Sequence, residues 1–403
     1  MKKKKPKKWV KKRHFFARFI VKAVFGLHIK LKYKAKIQKF KIEKGKQYLV
    51  IYNHQTGFDQ FFITLAFNRH VYQIGSEDIF SNGFLSRLLE FFSGPIPIKK
   101  QTSDIRAVMN CLKIAKEGGS IALAPEGNRT FSGKTCYFKP SIVKMIRALK
   151  LPVAVLRIED GYGVLPRWAD DVRSGGMNVY VKRVIDPEEY LSLSDEELHS
   201  LISSELYVDE SSPNKEFKHK NLAQYLERTI YYCPDCGFST FESNRDLLEC
   251  KKCKKVVRYL PNKQFEGVGF DFKFKNVADW SEGQCAYTNS VNLNEYVKEP
   301  IYQDVARFSE VILFKRKRVM DKKATISLYG DKVIVKGKKV DLTLDFETAS
   351  TVTVLGRNKV NIYHGDKCYQ IKGGKRMNGL KFVHFFHRYK NIIEGEGNEF
   401  LGL

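Results

Sequence analysis

Hydrophobic and polar positions change period several times along the 403-residue chain, and each change predicts an element. From residue 9 to 27, Trp9, Val10, Phe16, Phe19, Ile20, Ala23 and Val24 recur at roughly helical spacing among Lys11, Lys12, Arg18 and Lys22. That spacing predicts a basic amphipathic helix. Ile29, Leu31, Tyr33, Ala35 and Ile37 then alternate with Lys30, Lys32, Lys34 and Lys36, the period of a strand buried on one face. Residues 48–52 form a continuous apolar run and read as a fully buried strand; similar runs recur at 121–124 and 153–158. Between them, helical patterns on Ile105, Val108, Leu112 and Ala115 stop at Gly118-Gly119, and those on Ile142, Val143, Ile146 and Leu149 stop before Pro152. Strands alternating with helices up to about residue 190 predict an α/β layer fold with a mostly parallel central sheet.

Beyond about residue 265 the pattern becomes β-rich. Short alternations at 325–329, 332–336 and 360–363 are separated by turn signals at Gly330-Asp331 and Gly365-Asp366, and a helical stripe of Phe382, Phe386, Tyr389 and Ile393 follows. Strands closed by one C-terminal helix look like a pleckstrin-homology or related small β-barrel domain. The expected organisation is a basic amphipathic arm and first strand (1–46), an α/β domain (47–220), a cysteine-bearing module (228–260) and a β-rich domain (265–395).

Charge sharpens the reading of the arm. The formal net charge is +27, yet residues 1–46 hold 19 Lys and Arg against the single acid Glu43. Such a segment fits an anionic bilayer surface, with its aromatics in the headgroup layer and each lysine contributing about 1 kcal/mol. No stretch approaches the roughly 18 consecutive apolar residues of a spanning helix, and no small-residue cleavage site follows the basic start. The expected placement is cytoplasmic, peripheral on the inner face of the membrane.

Cysteine spacing points to a metal. Cys233/Cys236 and Cys250/Cys253 are two C-x-x-C pairs separated by 13 residues, and Gly237 permits a tight knuckle. Four thiolates on two such turns suit tetrahedral zinc in a closed, structural site, a zinc ribbon. Lys251, Lys252, Lys254, Lys255 and Arg258 flank it. Zinc ribbons with basic flanks also occur in nucleic-acid-binding proteins, so a nucleic-acid-binding protein with an inactive core is the rival reading.

The candidate chemistry lies in two polar clusters directly after apolar strands, where open α/β sheets place their ligands. Asn53-His54-Gln-Thr-Gly-Phe-Asp59 follows the first run, and Glu126-Gly127-Asn128-Arg129-Thr130 follows the second. A histidine bonded to Asp59 through one ring nitrogen has the other free to act as a base. Arg129 can grip a phosphate bidentately. Gly94-Pro-Ile-Pro-Ile-Lys99-Lys100 offers a third turn with paired positive charges.

In order and spacing these blocks resemble the glycerolipid acyltransferase family, that of 1-acylglycerol-3-phosphate O-acyltransferase (lysophosphatidic acid acyltransferase). Asn53, His54 and Asp59 meet its Asn-His-x-x-x-x-Asp block, and Pro125, Glu126, Gly127, Arg129 and Thr130 meet Pro-Glu-Gly-Thr-Arg-Ser. Gly94, Ile96 and Ile98 fit its second block with Lys100 in place of Arg, while Pro152 keeps and Val155 loses the prolines of its fourth. The resemblance implies direct acyl transfer, with His54 and Asp59 as the catalytic pair and Lys100, Glu126, Gly127 and Arg129 binding substrate. It also implies a lysophospholipid acceptor, and acyl-CoA or an acidic acyl carrier protein as thioester donor.

Overall fold

The computed structural model describes residues 8–98, 105–312, 315–395 and 399–402. They divide into two compact units. One comprises the chain up to 129, 135–164 and 175–209; the other comprises 130–134, 165–174 and 210 onward.

The first unit runs α1 (Lys12–Lys32), β1 (Ala35–Ile37), β2 (Leu49–Tyr52), α2 (Asp59–Ala66), β3 (Val71–Ser76), α3 (Phe84–Ser93), β4 (Ile96–Ile98), α4 (Ile105–Lys116) and β5 (Ser120–Leu123). It continues with α5 (Ser141–Leu149), β6 (Val153–Glu159), α6 (Gly161–Val164), β7 (Met177–Ile185), α7 (Pro187–Leu191) and α8 (Asp195–Leu206). Its sheet has the order β1-β7-β6-β2-β5-β3-β4, parallel at every junction except β6 with β7. The four residues of β2 are all buried, which is why this strand reads as an unbroken apolar run. Leu49, Ile51, Ile121, Leu123, Val153 and Val155 share one core with Val143 and Ile146 of α5 and with Leu198 and Ile202 of α8.

The N-terminal region departs from the sequence expectation in two ways. Residues 29–32 continue α1, and the strand is only Ala35–Ile37. Ile29 and Tyr33, four apart, are both buried while Leu31 between them is two-thirds exposed. The lysine alternation is compatible with either period, but only the helical one buries this pair. The helix closes where Tyr33 N–H donates to Ile29, and Lys34, at φ 46°, turns the chain into β1. Trp9, expected on the membrane-facing stripe, is instead buried in the core ahead of α1. Likewise, part of the third expected turn is strand: 96–98 pairs with β3, and Gly94 ends α3 in the left-handed region. Lys99 and Lys100 lie outside the described residues.

In the second unit, β8 (Tyr232–Cys233) and β9 (Gly237–Phe238) form a hairpin beside a four-stranded antiparallel sheet of β10 (Phe241–Asn244), β11 (Leu247–Cys250), β12 (Val256–Tyr259) and β13 (Phe265–Gly267). After α9 (Val277–Ser290) come β14 (Tyr302–Val311), β15 (Arg318–Leu328), β16 (Lys332–Lys336), β17 (Asp341–Asp345), β18 (Ala349–Leu355), β19 (Lys359–His364), β20 (Lys367–Lys372) and α10 (Leu380–Glu394). The seven strands are antiparallel in the order β17-β16-β15-β14-β20-β19-β18. Leu380, Phe382, Val383, Phe385 and Phe386 of α10 enter their core with Ile326, Val333, Val352 and Ile371.

Candidate active site and candidate metal centre

β2 lies between β5 and β6, so the loops after β2 and β5 leave neighbouring strand ends on the same side of the sheet. Asn53 begins the first loop. Its Oδ1 accepts from Ile158 N–H (2.7 Å) and its Nδ2 donates to Ile158 O (2.8 Å), extending the β2–β6 ladder by one side-chain step. The amide thereby fixes where the loop departs.

Asp59, the first residue of α2, is fully buried and gathers the loop around its carboxylate. It accepts from Gln55 N–H (2.9 Å), Thr56 N–H (2.9 Å) and the Thr56 hydroxyl (2.7 Å). His54 Nδ1 lies 2.7 Å from Asp59 Oδ2. A carboxylate only accepts, so Nδ1 carries the proton and Nε2 carries the lone pair. The His54 side chain is about one-quarter exposed (26%), against none for Asp59: a reachable ring held by a buried anchor. Close packing confines the loop, since a Cβ on Gly161 would lie 2.8 Å from Gln55 Cβ.

Glu126 joins the second loop to the first. Its Oε1 accepts from His54 N–H (2.6 Å) and its Oε2 from Cys136 N–H (2.7 Å). Burial pushes its carboxyl up to about 8, against the opposing pull of those two N–H donors. Gly127 has φ 65°, with open space where a Cβ would stand, so backbone freedom is what this position requires. The Arg129 guanidinium reaches the His54 loop, where a Cβ on Gly57 would lie 3.3 Å from its Nη1; glycine there lets the cation approach.

The structure therefore brings together His54, Asp59, Glu126, Gly127 and Arg129. The Asn53 clamp, the Thr56 bonds to Asp59 and the Cys136 N–H on Glu126 escaped the sequence reading. Thr56, three residues before a helix-starting aspartate, was the one available signal.

In the second unit, the Sγ atoms of Cys233, Cys236, Cys250 and Cys253 all lie within 4.8 Å of one another, and those of Cys233 and Cys253 are 3.7 Å apart. Zn–S bonds of about 2.3 Å imply tetrahedral edges of roughly 3.8 Å, so the residues present fit that ion. The residue after each pair, Gly237 and Lys254, is left-handed (φ 69° and 64°). The two knuckles thus share one backbone device, with glycine at only one of them.

The Acyltransferase family model matches residues 31–159, which span both loops. The chain is also similar to the crystal structure of PlsC, the 1-acyl-sn-glycerophosphate (LPA) acyltransferase of Thermotoga maritima. The two share 19% identity with a TM-score of 0.41, covering 49% of this chain and 80% of that one. No curated protein matches the chain.

Proposed function

We propose that this chain, with its acyltransferase-type domain, moves a fatty acyl group from a thioester donor to the free hydroxyl of a lysophospholipid such as 1-acylglycerol-3-phosphate, with His54 as general base. The observation that carries this reading is the 2.7 Å bond between His54 Nδ1 and a buried Asp59. With Nδ1–H held, Nε2 takes the hydroxyl proton as the acceptor oxygen attacks the thioester carbonyl. The new C–O bond forms, the C–S bond breaks, and the thiolate leaves and is protonated. General-base assistance of this kind is worth about 10² to 10⁴ in rate; the rest falls to positioning and oxyanion stabilisation.

Arg129 and Lys100 are the cations for the acceptor phosphate. Glu126 has one backbone N–H on each carboxylate oxygen, which supports a positioning role, tying the two loops together. Acyl-CoA or an acyl carrier protein supplies the acyl group. Cys233, Cys236, Cys250 and Cys253 would hold zinc as a ribbon; as a closed four-thiolate site it would contribute folding energy and no chemistry. The strand order of the C-terminal sheet and its closing helix support a pleckstrin-homology-like domain. No described helix is long and apolar enough to cross a membrane. Access to lipid is therefore proposed at the surface, at the inner face, through α1, whose Phe16 and Phe19 are about 70% exposed.

The test is transfer from labelled acyl-CoA and labelled acyl carrier protein to a panel of lysophospholipids. Transfer that disappears in His54→Ala supports the reading; no transfer to any member, or full transfer by that variant, overturns it.

A further inference from the structure

The strands that carry His54 and Glu126 at their carboxyl ends meet a second charged feature at the other end. Trp9 and Val10 N–H both donate to the Glu117 carboxylate (2.8 Å each), just ahead of β5. α1 starts there and packs against α3. Between these helices is a cavity of about 190 Å³. Pockets that enclose drug-sized ligands run to about 300–1,000 Å³, so this one suits a headgroup and not a whole acyl thioester.

Lys8, Lys11, Arg13 and Arg87 line it, with Glu90 as the only acid among the described residues of the lining. The first turn of α1 adds to the positive field, having neither an acidic residue nor a side-chain cap. His14 also lines the cavity. It is almost fully buried, with Nδ1 on the Tyr72 hydroxyl (2.9 Å). Burial and the charges of Arg13 and Lys11 push His14 down to about 4, so it stays neutral.

The same two helices are apolar on the outside: Phe15, Phe16 and Phe19 of α1, and Phe84, Leu85 and Leu88 of α3, are all exposed. A dissolved phosphate would account for the cations but not for this apolar surround. A phospholipid leaflet accounts for both.

We infer that the cavity between α1 and α3 seats the phosphate headgroup of an anionic phospholipid while the apolar faces of both helices enter the same leaflet. The inference rests on the peripheral-membrane reading and adds to it a defined headgroup site at the far end of the sheet from His54.

The experiment is cosedimentation of the full chain with phosphatidylcholine vesicles containing phosphatidylglycerol, at about 0.15 M salt. Arg13→Gln/Arg87→Gln is compared with Lys30→Gln/Lys32→Gln, which removes equal charge at the other end of α1. Diffuse attraction predicts equal losses, about fivefold per cation; the headgroup site predicts a loss at least about tenfold greater for the first pair. Equal losses overturn the site, whereas an unsubstituted chain that ignores anionic vesicles overturns the membrane reading as well. Thermal unfolding checks each variant, and Arg87→Gln alone is used if the double variant unfolds. Phe84→Ser/Leu85→Ser should weaken vesicle binding while leaving the lipid-free protein's affinity for inorganic phosphate in place. Vesicle binding that survives this change would overturn the lipid as the source of the phosphate.

Discussion

The site around His54 and the cluster around Cys233 follow opposite plans. All four cysteines fall between residues 233 and 253, on two knuckles that bring their sulfurs within 4.8 Å. The other site gathers residues 53–59, 126–129, 136 and 158, and depends on β5, β2 and β6 lying side by side. A local site carries its geometry in its own turns; a distributed one borrows it from a sheet. Disturbing the first should therefore register in stability, and disturbing the reactive end of the second should register in rate.

The sharpest way to break this contrast is His54→Ala. Transfer should fall by about 10² to 10⁴ while the melting temperature changes little, because the ring is partly exposed and Asp59 keeps its Gln55 and Thr56 donors when the Nδ1 bond and the edge contact with Tyr52 are lost. A variant that unfolds would place His54 among the structural residues. Next is Cys250→Ser. The parent should carry about one zinc per chain, and the variant should lose metal and thermal stability together. Metal analysis finding iron, or no metal in a folded and reduced protein, would remove the zinc assignment.

Asp59→Asn blurs the contrast and so sharpens it. Asp59 anchors His54 but also accepts from Gln55, Thr56 and the Thr56 hydroxyl, and an amide nitrogen cannot accept. Both rate and stability should drop, the latter by about 1–3 kcal/mol; a slow enzyme of unchanged stability would contradict the bonding pattern.

Glu126→Gln is expected to cost a similar 1–3 kcal/mol, since one of the two backbone N–H groups would face an NH₂. It also carries a pH signature. The carboxyl is raised from its ordinary 4.5 to about 8 in the folded protein, so between those values the folded chain binds more protons than the unfolded one. Its contribution is fully present below about 4.5 and is lost as pH rises through 8. Melting curves of Glu126→Gln should lack that component; an unchanged dependence of stability on pH would refute it.

The smallest effect is at the surface. Phe16→Ser and Phe19→Ser should each weaken vesicle binding several-fold, in keeping with roughly 1 kcal/mol for a partly inserted ring. They are cleaner than deleting residues 1–27, which would also take Trp9 out of the core and α1 off α2 and α3. Unaltered binding by both would remove this face of α1 from the contact.

Two aromatic, basic helices show how far patterning alone reaches. Phe16 and Phe19 of α1 are exposed, whereas Phe382, Phe385 and Phe386 of α10 are buried. Each stripe was visible in the sequence, but its fate was not, because burial depends on whether another element arrives to cover the face. At residues 29–37 both the helical and the strand period fitted the same lysines, and the burial of Ile29 with Tyr33 chose between them.

The sequence by itself determined the apolar runs of β2, β5 and β6, the polar clusters that follow two of them, the cysteine knuckles and the strands around Gly330 and Gly365. These depend on neighbours within a few residues, where periodicity, turn chemistry and spacing act directly. Tertiary structure alone decided that β6 and β5 flank β2, that Asn53 clamps Ile158, that Glu126 spends both oxygens on backbone N–H groups of other segments, and that α1 and α3 flank a half-open cationic cavity. Each of those joins residues far apart in the chain, and only the packing of one layer on another brings such partners within bonding distance.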